Sequence, residues 1–313
     1  MRKNIFLPII LLITIIVITA CSPENGKLEK KKEQLTIYST VFPLQYFTER
    51  IGGKYVNVHT IYPPGADEHT FEPSQKDMIK LADSDLFFYI GLGLEGFVEK
   101  AKGSLKNENV SLIPTAESLI LDPAEEHEAH DDHEDDGHGD LNPHVWLDPL
   151  YSKEMAAVIR DSLTEKMPQN KETFNQNYQK LADELDQLNS EFATTIQNAK
   201  HKEILVTHAA FSYWEQRYGL EEISISGLST TNEPTQRELE KIISLADEQG
   251  LHYILFEQNV QSKLAQIVQK EIGAKALPVH NLGILTKENI KDNETYFSLM
   301  EQNLSSLKTA LND

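Results

Sequence analysis

Short apolar runs alternate with segments of helical period along most of this chain. Leu35–Thr40, Tyr55–Tyr62, Leu86–Ile90 and Val110–Ile113 read as strands, and between them Pro43–Ile51, Ser74–Ala82 and Leu94–Lys102 read as helices. Ser74 is the expected N-cap of the second helix, because its hydroxyl can accept from a free backbone N–H of the first turn. The alternation breaks after residue 121 and resumes with a helix over Ser152–Lys166. Pro168 interrupts. From Lys171 to Lys200, Phe174, Tyr178, Leu181, Leu185, Leu188 and Phe192 recur in steps of three and four, which draws one apolar stripe along a long helix. About 30 residues at about 1.5 Å each give a rod of about 45 Å, enough to cross a domain. Beyond it the strand–helix pattern returns. Strands are expected at Ile204–Thr207, Glu222–Ile225, Tyr253–Phe256 and Ala276–Val279. Helices are expected at Ala209–Tyr218, Pro234–Glu248, Val260–Ile272 and, as one final element, Glu288–Leu311. Strand–helix alternation argues for mainly parallel sheets covered by helices. The expected fold class is therefore α/β, with two lobes joined by one long helix: 35–167, a linking segment 168–200, and 201–313. No internal repeat is visible at the level of residues.

The N-terminus changes the picture of compartment. Arg2 and Lys3 precede an apolar run, Ile5–Ile18, that is shorter than the roughly 20 residues needed to span a bilayer. Residues 1–20 read as a signal peptide. Ile18-Thr19-Ala20-Cys21 resembles a bacterial lipobox, which implies lipid attachment at Cys21. Buried acyl CH2 groups contribute about 0.8 kcal/mol each, so more than one chain makes a durable membrane anchor. Residues 21–34, polar and rich in lysine, read as a tether. Cys21 is the single cysteine, so no internal disulfide can form. A chain of this size buries enough apolar surface to manage without one.

Charge then excludes one class of partner. The formal net charge is −20, and loss of Arg2 and Lys3 with the leader takes it to −22. Such a surface repels nucleic acid and favours cations. The acid is concentrated in Asp122–Asp140, which holds ten carboxylates, His127, His130, His133 and His138, and no Lys or Arg. So many like charges cannot enter a core. Imidazoles interleaved with carboxylates make a weak multidentate trap for transition metals, here an auxiliary loop.

Four more histidines sit where strands or loops run into helices: His69, His144, His208 and His280. In open α/β sheets ligands bind beyond the carboxyl ends of the strands. Two of these histidines precede the rod and two follow it, so a site using all four lies in a cleft between lobes. His59, His201 and His252 carry no such pattern. Trp146 and Trp214 are expected to pack around the site. Asp148 and Glu233 are candidates to orient a ligand imidazole by hydrogen bonding.

The segments PPGADEHTFEPS, NPHVWLDP and THAAFSYWEQRYGL resemble the signature segments of the metal-binding lipoproteins that serve ABC importers of zinc and manganese. The resemblance runs from Leu35 onward, and the histidine-rich acidic insertion before NPHVW resembles the zinc branch. It implies two α/β lobes, one long connecting helix and a metal between the lobes held by His69, His144 and His208. Manganese members place a carboxylate at the third position; imidazole suits Zn2+, whereas Mn2+ prefers oxygen. At the fourth position the sequence departs from the family, with His280 where many relatives have Asp and Gly283 where others have Glu. His280, water and Glu68 all stay open as the fourth ligand, with His280 favoured. The implied function is a non-enzymatic, extracytoplasmic carrier that delivers Zn2+ to an ABC permease with its ATPase, acting as a monomer. A manganese carrier or adhesin is the alternative within the family. A zinc hydrolase with Glu68 as base is the alternative outside it, though no HExxH arrangement is present.

Overall fold

The computed structural model describes residues 33–121, 141–229, 233–258 and 262–313. The histidines expected in the acidic loop (His127, His130, His133, His138) and Cys21 lie outside them. Two four-stranded sheets, all of whose paired strands run parallel, organise the chain. The first contains β1 (Leu35–Ser39), β2 (Val56–Thr60), β3 (Leu86–Tyr89) and β4 (Ser111–Pro114), in the order β2-β1-β3-β4. The second contains β5 (Glu203–His208), β6 (Glu221–Ser226), β7 (Tyr253–Glu257) and β8 (Lys275–Val279), in the order β6-β5-β7-β8. The sheets thus share one topology, a repeat of architecture that the residues do not spell out. In each, the order reverses between the first and third strands, which opens a crevice at their carboxyl ends.

Helices α1 (Phe42–Gly52), α2 (Gln75–Ala82) and α3 (Val98–Leu105) serve the first sheet. Ser74 caps α2 as expected, in a reciprocal capping box with Asp77. The next helix, α4 (Pro149–Lys166), begins earlier than expected. Asp148 caps it by accepting from the Leu150 and Tyr151 N–H groups, and Pro149 occupies the first turn, where a missing N–H costs nothing. The rod is α5 (Lys171–Gln197), 27 residues and about 40 Å long. Its stripe of Phe174, Leu181, Leu185, Leu188, Phe192 and Ile196 is buried. Each such side chain contributes about 1.5–3 kcal/mol by leaving water.

The second sheet carries α6 (Ser212–Tyr218), α7 (Gln236–Glu248) and α8 (Lys263–Ile272). The single final helix expected over 288–311 is two: α9 (Lys287–Lys291) and α10 (Tyr296–Ala310). Asn293 between them takes a positive φ of 55°, and Thr295 caps α10 afresh. The polar stretch 291–295 carries no proline or glycine to mark that break in the sequence.

One apolar core runs through both sheets and the rod, from Ile37 and Phe87 through Leu185 and Phe192 to Val206, Val279 and Leu307. A smaller cluster around Ile254, Ala246 and Val268 lies in the second sheet and its helices α7 and α8. Among the described residues no helix is long and apolar enough to cross a membrane.

Candidate metal centre

Three histidines converge where the carboxyl ends of the strands meet. His69 lies in the loop after β2, turned by a hydrogen bond from its own N–H to Asp67 Oδ1 at 2.9 Å. His144 opens a single 3-10 turn, Val145–Leu147, just ahead of α4. His208 is the last residue of β5. His144 and His208 are fully buried, and His69 is partly exposed. The Nε2 atoms of His144 and His69 lie 3.2 Å apart, and those of His208 and His144 lie 3.3 Å apart.

Each buried imidazole has an acceptor at its other nitrogen. Asn142 Oδ1 receives both the His144 backbone N–H, at 3.0 Å, and its Nδ1, at 2.7 Å. Glu257 Oε1 pairs with His208 Nδ1. An acceptor at Nδ1 fixes the proton there and leaves the Nε2 lone pair free. Lone pairs brought this close repel one another unless a proton or a metal ion lies between them. Zinc–nitrogen bonds of about 2.0–2.1 Å at tetrahedral angles set ligand nitrogens about 3.3 Å apart. The spacing here matches that figure.

Burial pulls the His69 and His144 pKa values down, His144 well below the ordinary value, and the neighbouring imidazoles add to this. Both are thereby held neutral, the state that binds metal. His208 differs. Burial pulls it down too, but the charge and hydrogen bond of Glu257 outweigh that and leave its pKa raised.

The structure keeps His280 out of this cluster. Its backbone N–H donates to Asn303 Oδ1 and its carbonyl accepts from Asn303 Nδ2, both at 2.8 Å, while its Nε2 sits 3.0 Å from Gln302 Oε1. All three bonds come from α10 and turn the ring towards that helix. Among the described residues, only His69, His144 and His208 form a group of three or more ligands close enough to share an ion.

Glu68, beside His69, is 5% exposed. Burial lifts its pKa to about 7, and the charge of His208 works against that rise. Its Oε1 accepts from Asn281 Nδ2 at 3.0 Å. A Cβ placed on Gly283 would lie 2.8 Å from the Glu68 carboxyl carbon and closer still to Oε1. Glu68 therefore fills the space that a side chain at 283 would need.

The expected supporting residues fall differently from the sequence reading. Asp148 spends its carboxylate on the α4 cap and on Arg217 Nε at 2.6 Å, and Glu233 is exposed. Asn142 and Glu257 instead contact the Nδ1 atoms of His144 and His208. Trp146 packs its ring 5.2 Å from that of His144 and donates to the Asn281 carbonyl at 2.5 Å, so it joins the lobes and shields the site. Trp214 donates to the Leu147 carbonyl at 2.9 Å. His59, His201 and His252 are exposed and lie outside the group.

Comparison with known proteins adds a second line of evidence. The family model described as ZnuA, zinc-uptake complex component A, periplasmic, matches residues 37–310. The zinc-binding lipoprotein AdcA of Streptococcus pneumoniae (strain ATCC BAA-255 / R6) is 35% identical over 293 residues, which are 93% of this chain and 58% of AdcA. The chain thus spans little more than half of that relative. The high-affinity zinc uptake system protein ZnuA of Bacillus subtilis (strain 168) is 31% identical over 300 residues, covering 95% of this chain and 94% of that one. The crystal structure of the Zn(II)-bound ZnuA-like domain of Streptococcus pneumoniae AdcA superposes with a TM-score of 0.76 at 33% identity, over 90% of this chain and all of that one.

Proposed function

The chain belongs to the family of zinc-uptake complex component A proteins, and from that premise we propose that it captures Zn2+ outside the cytoplasm and hands it to the permease of an ABC importer. One observation carries the reading: the His144 Nε2 lies at tetrahedral zinc spacing from the Nε2 atoms of both His69 and His208, the three rings are close enough to share one ion, and the two buried rings have acceptors fixed behind them. Imidazole donors favour Zn2+ over Mn2+. Glu68, rather than His280, is the fourth ligand in this proposal. It is buried and neighbours His69 in sequence; its carboxylate, which here accepts from Asn281 and lies outside the three-histidine group, would turn to the ion as zinc binds. An oxygen ligand beside three imidazoles is ordinary zinc chemistry.

The path of the ion follows from exposure. His69 is the one partly exposed ligand, so Zn2+ enters past the 61–74 loop and reaches the buried pair last. Release then needs that loop to lift. A wide hinge between lobes would tear the shared core, so the motion stays local. Lipid attachment at Cys21 would hold the carrier at the membrane beside its permease, and the acidic histidine loop would gather zinc as a set of weaker sites.

Metal analysis and titration calorimetry test this. The full-length protein should bind one tight Zn2+. Deleting residues 125–139 should leave that site and remove weaker ones. Replacing His69, His144 or His208 with Ala should weaken the tight site at least about tenfold, since each removes a direct zinc bond. Tight binding that survives all three single substitutions would sink the assignment, and its loss on loop deletion would move the site into the loop.

A further inference from the structure

Each sheet holds a buried glutamate carboxylate between the carboxyl ends of its two central strands, and among the described residues only one of the two has partners for both oxygens. In the first lobe Thr40, just past β1, donates its hydroxyl to Glu95 Oε1 at 2.8 Å. The Ile90 N–H donates to the same oxygen at 2.8 Å, and the Gly91 N–H to Oε2 at 3.0 Å. Both oxygens are satisfied by the ends of β1 and β3. In the second lobe Thr207, near the end of β5, donates to Glu257 Oε1 at 2.8 Å. Glu257 closes β7, and its Oε1 also takes His208 Nδ1. Its Oε2 is buried and accepts no hydrogen bond among the described residues. Glu257 is 4% exposed and also lines a small cavity with His280, Asn281 and Asn289.

A buried carboxylate that leaves an oxygen unpaired is costly, because nothing replaces the water it gave up. The first lobe shows that this fold can satisfy both oxygens of such a group with backbone N–H groups and one threonine hydroxyl. The second lobe instead directs the carboxylate to a ring nitrogen.

We infer that Glu257 is the positioning residue of the centre, holding His208 by Nδ1 so that its Nε2 faces the ion and placing a negative charge behind the ring. The inference rests on the zinc-carrier reading above. The anion makes His208 a stronger donor than His144, whose Nδ1 partner is the neutral amide of Asn142. Thr207 anchors the same carboxylate oxygen, so the ring, the acid and the hydroxyl form one unit across β5 and β7.

Zinc titration of the full-length wild type, Glu257→Gln and Glu257→Ala tests it, with 15N-detected NMR of the imidazoles in the zinc-bound state. Gln keeps the shape and an acceptor oxygen but removes the charge; Ala removes both. The expected losses of affinity for the tight site lie in the range of about 10- to 100-fold, Ala exceeding Gln. The His208 Nδ1 proton should exchange slowly in the wild type and quickly in the Ala variant. A merely structural role would lower thermal stability without changing affinity or that resonance. Gln alone decides the matter should the Ala variant not fold. Affinities within twofold of wild type for every folded variant, with the resonance unchanged, overturn the inference. A wild type that binds no tight zinc would instead overturn the carrier reading.

Discussion

Glu95 in the first lobe and Glu257 in the second occupy matching crevices, each between the carboxyl ends of two adjacent strands and each gripped by a threonine hydroxyl. Glu95 accepts three hydrogen bonds from the chain around it and touches no ligand. Glu257 gives one oxygen to His208, and among the described residues its other oxygen accepts no hydrogen bond. The same architecture therefore yields a closed plug in one lobe and an open support in the other. What separates them is the backbone after β3: the turn at Gly91, with φ of 86°, aims two N–H groups back at the carboxylate. Only glycine adopts such an angle without strain.

Experiments can push on this contrast. The largest difference should lie between His208→Ala and Glu95→Gln. The first should cost zinc affinity at least about tenfold, as loss of a direct ligand. The second should leave affinity within about twofold and lower folding stability by about 1–3 kcal/mol, because an amide NH2 would face donor groups that it cannot satisfy. Calorimetry and urea unfolding on both proteins read the two quantities, and a zinc defect in Glu95→Gln comparable to that of His208→Ala would erase the distinction between plug and support.

Acid sharpens it at a smaller scale. Burial lifts the Glu95 pKa from the ordinary carboxylate value of 4.5 to about 7 in the fold. A raised folded pKa means that the native state binds the proton more readily, so this contribution to stability is complete below about pH 4.5 and lost as pH rises through about 7. The stability of the zinc-free wild type relative to Glu95→Gln should therefore fall across that window; a difference that stays flat would contradict it. For zinc, protons compete at His208, whose pKa Glu257 raises over the effect of burial. Competition should set in at a higher pH than for an ordinary imidazole near about 6.5. Glu257→Gln should move that onset down, as read from log K against pH. An unmoved onset would mean that the Glu257 charge does not reach the ring.

The smallest effects should come from the threonines. Thr40→Val and Thr207→Val each remove one hydroxyl donor and should cost about 0.5–1.5 kcal/mol of stability. Thr207→Val alone should also weaken zinc, by loosening Glu257. Equal zinc affinities for the two would show that the carboxylate holds its place without the hydroxyl.

Much of this was legible from residues. Alternating runs gave eight strands and the rod, since buried parallel strands read as short apolar blocks and a long amphipathic helix has an unmistakable period. His69, His144 and His208 stood out because they end strands or open helices inside distinctive segments. Asn142 was readable in principle as an Asx turn two residues before His144, a pattern local to the chain. Glu257 was harder. An acid closing the apolar strand YILFE is a signal, but its partner lies 49 residues away on a neighbouring strand. His280 shows the converse: its position at a strand end fits the pattern, yet side chains of α10, more than 20 residues later, hold it in this structure, outside the three-histidine group. The shared sheet order was invisible because topology repeats here without any repeat of residues.

Gly283 carries a consequence for how this protein can vary. Position 283 in one lobe and position 68 in the other draw on a single volume, already taken by the Glu68 carboxyl group. Neither site can be assigned a tolerance on its own. A side chain introduced at 283 must displace the carboxylate, while the same change made together with Glu68→Ala no longer meets it. In a double-mutant cycle the two substitutions should be far from additive. On the reading that makes Glu68 the fourth ligand, moving that ligand to position 283 would require both substitutions together.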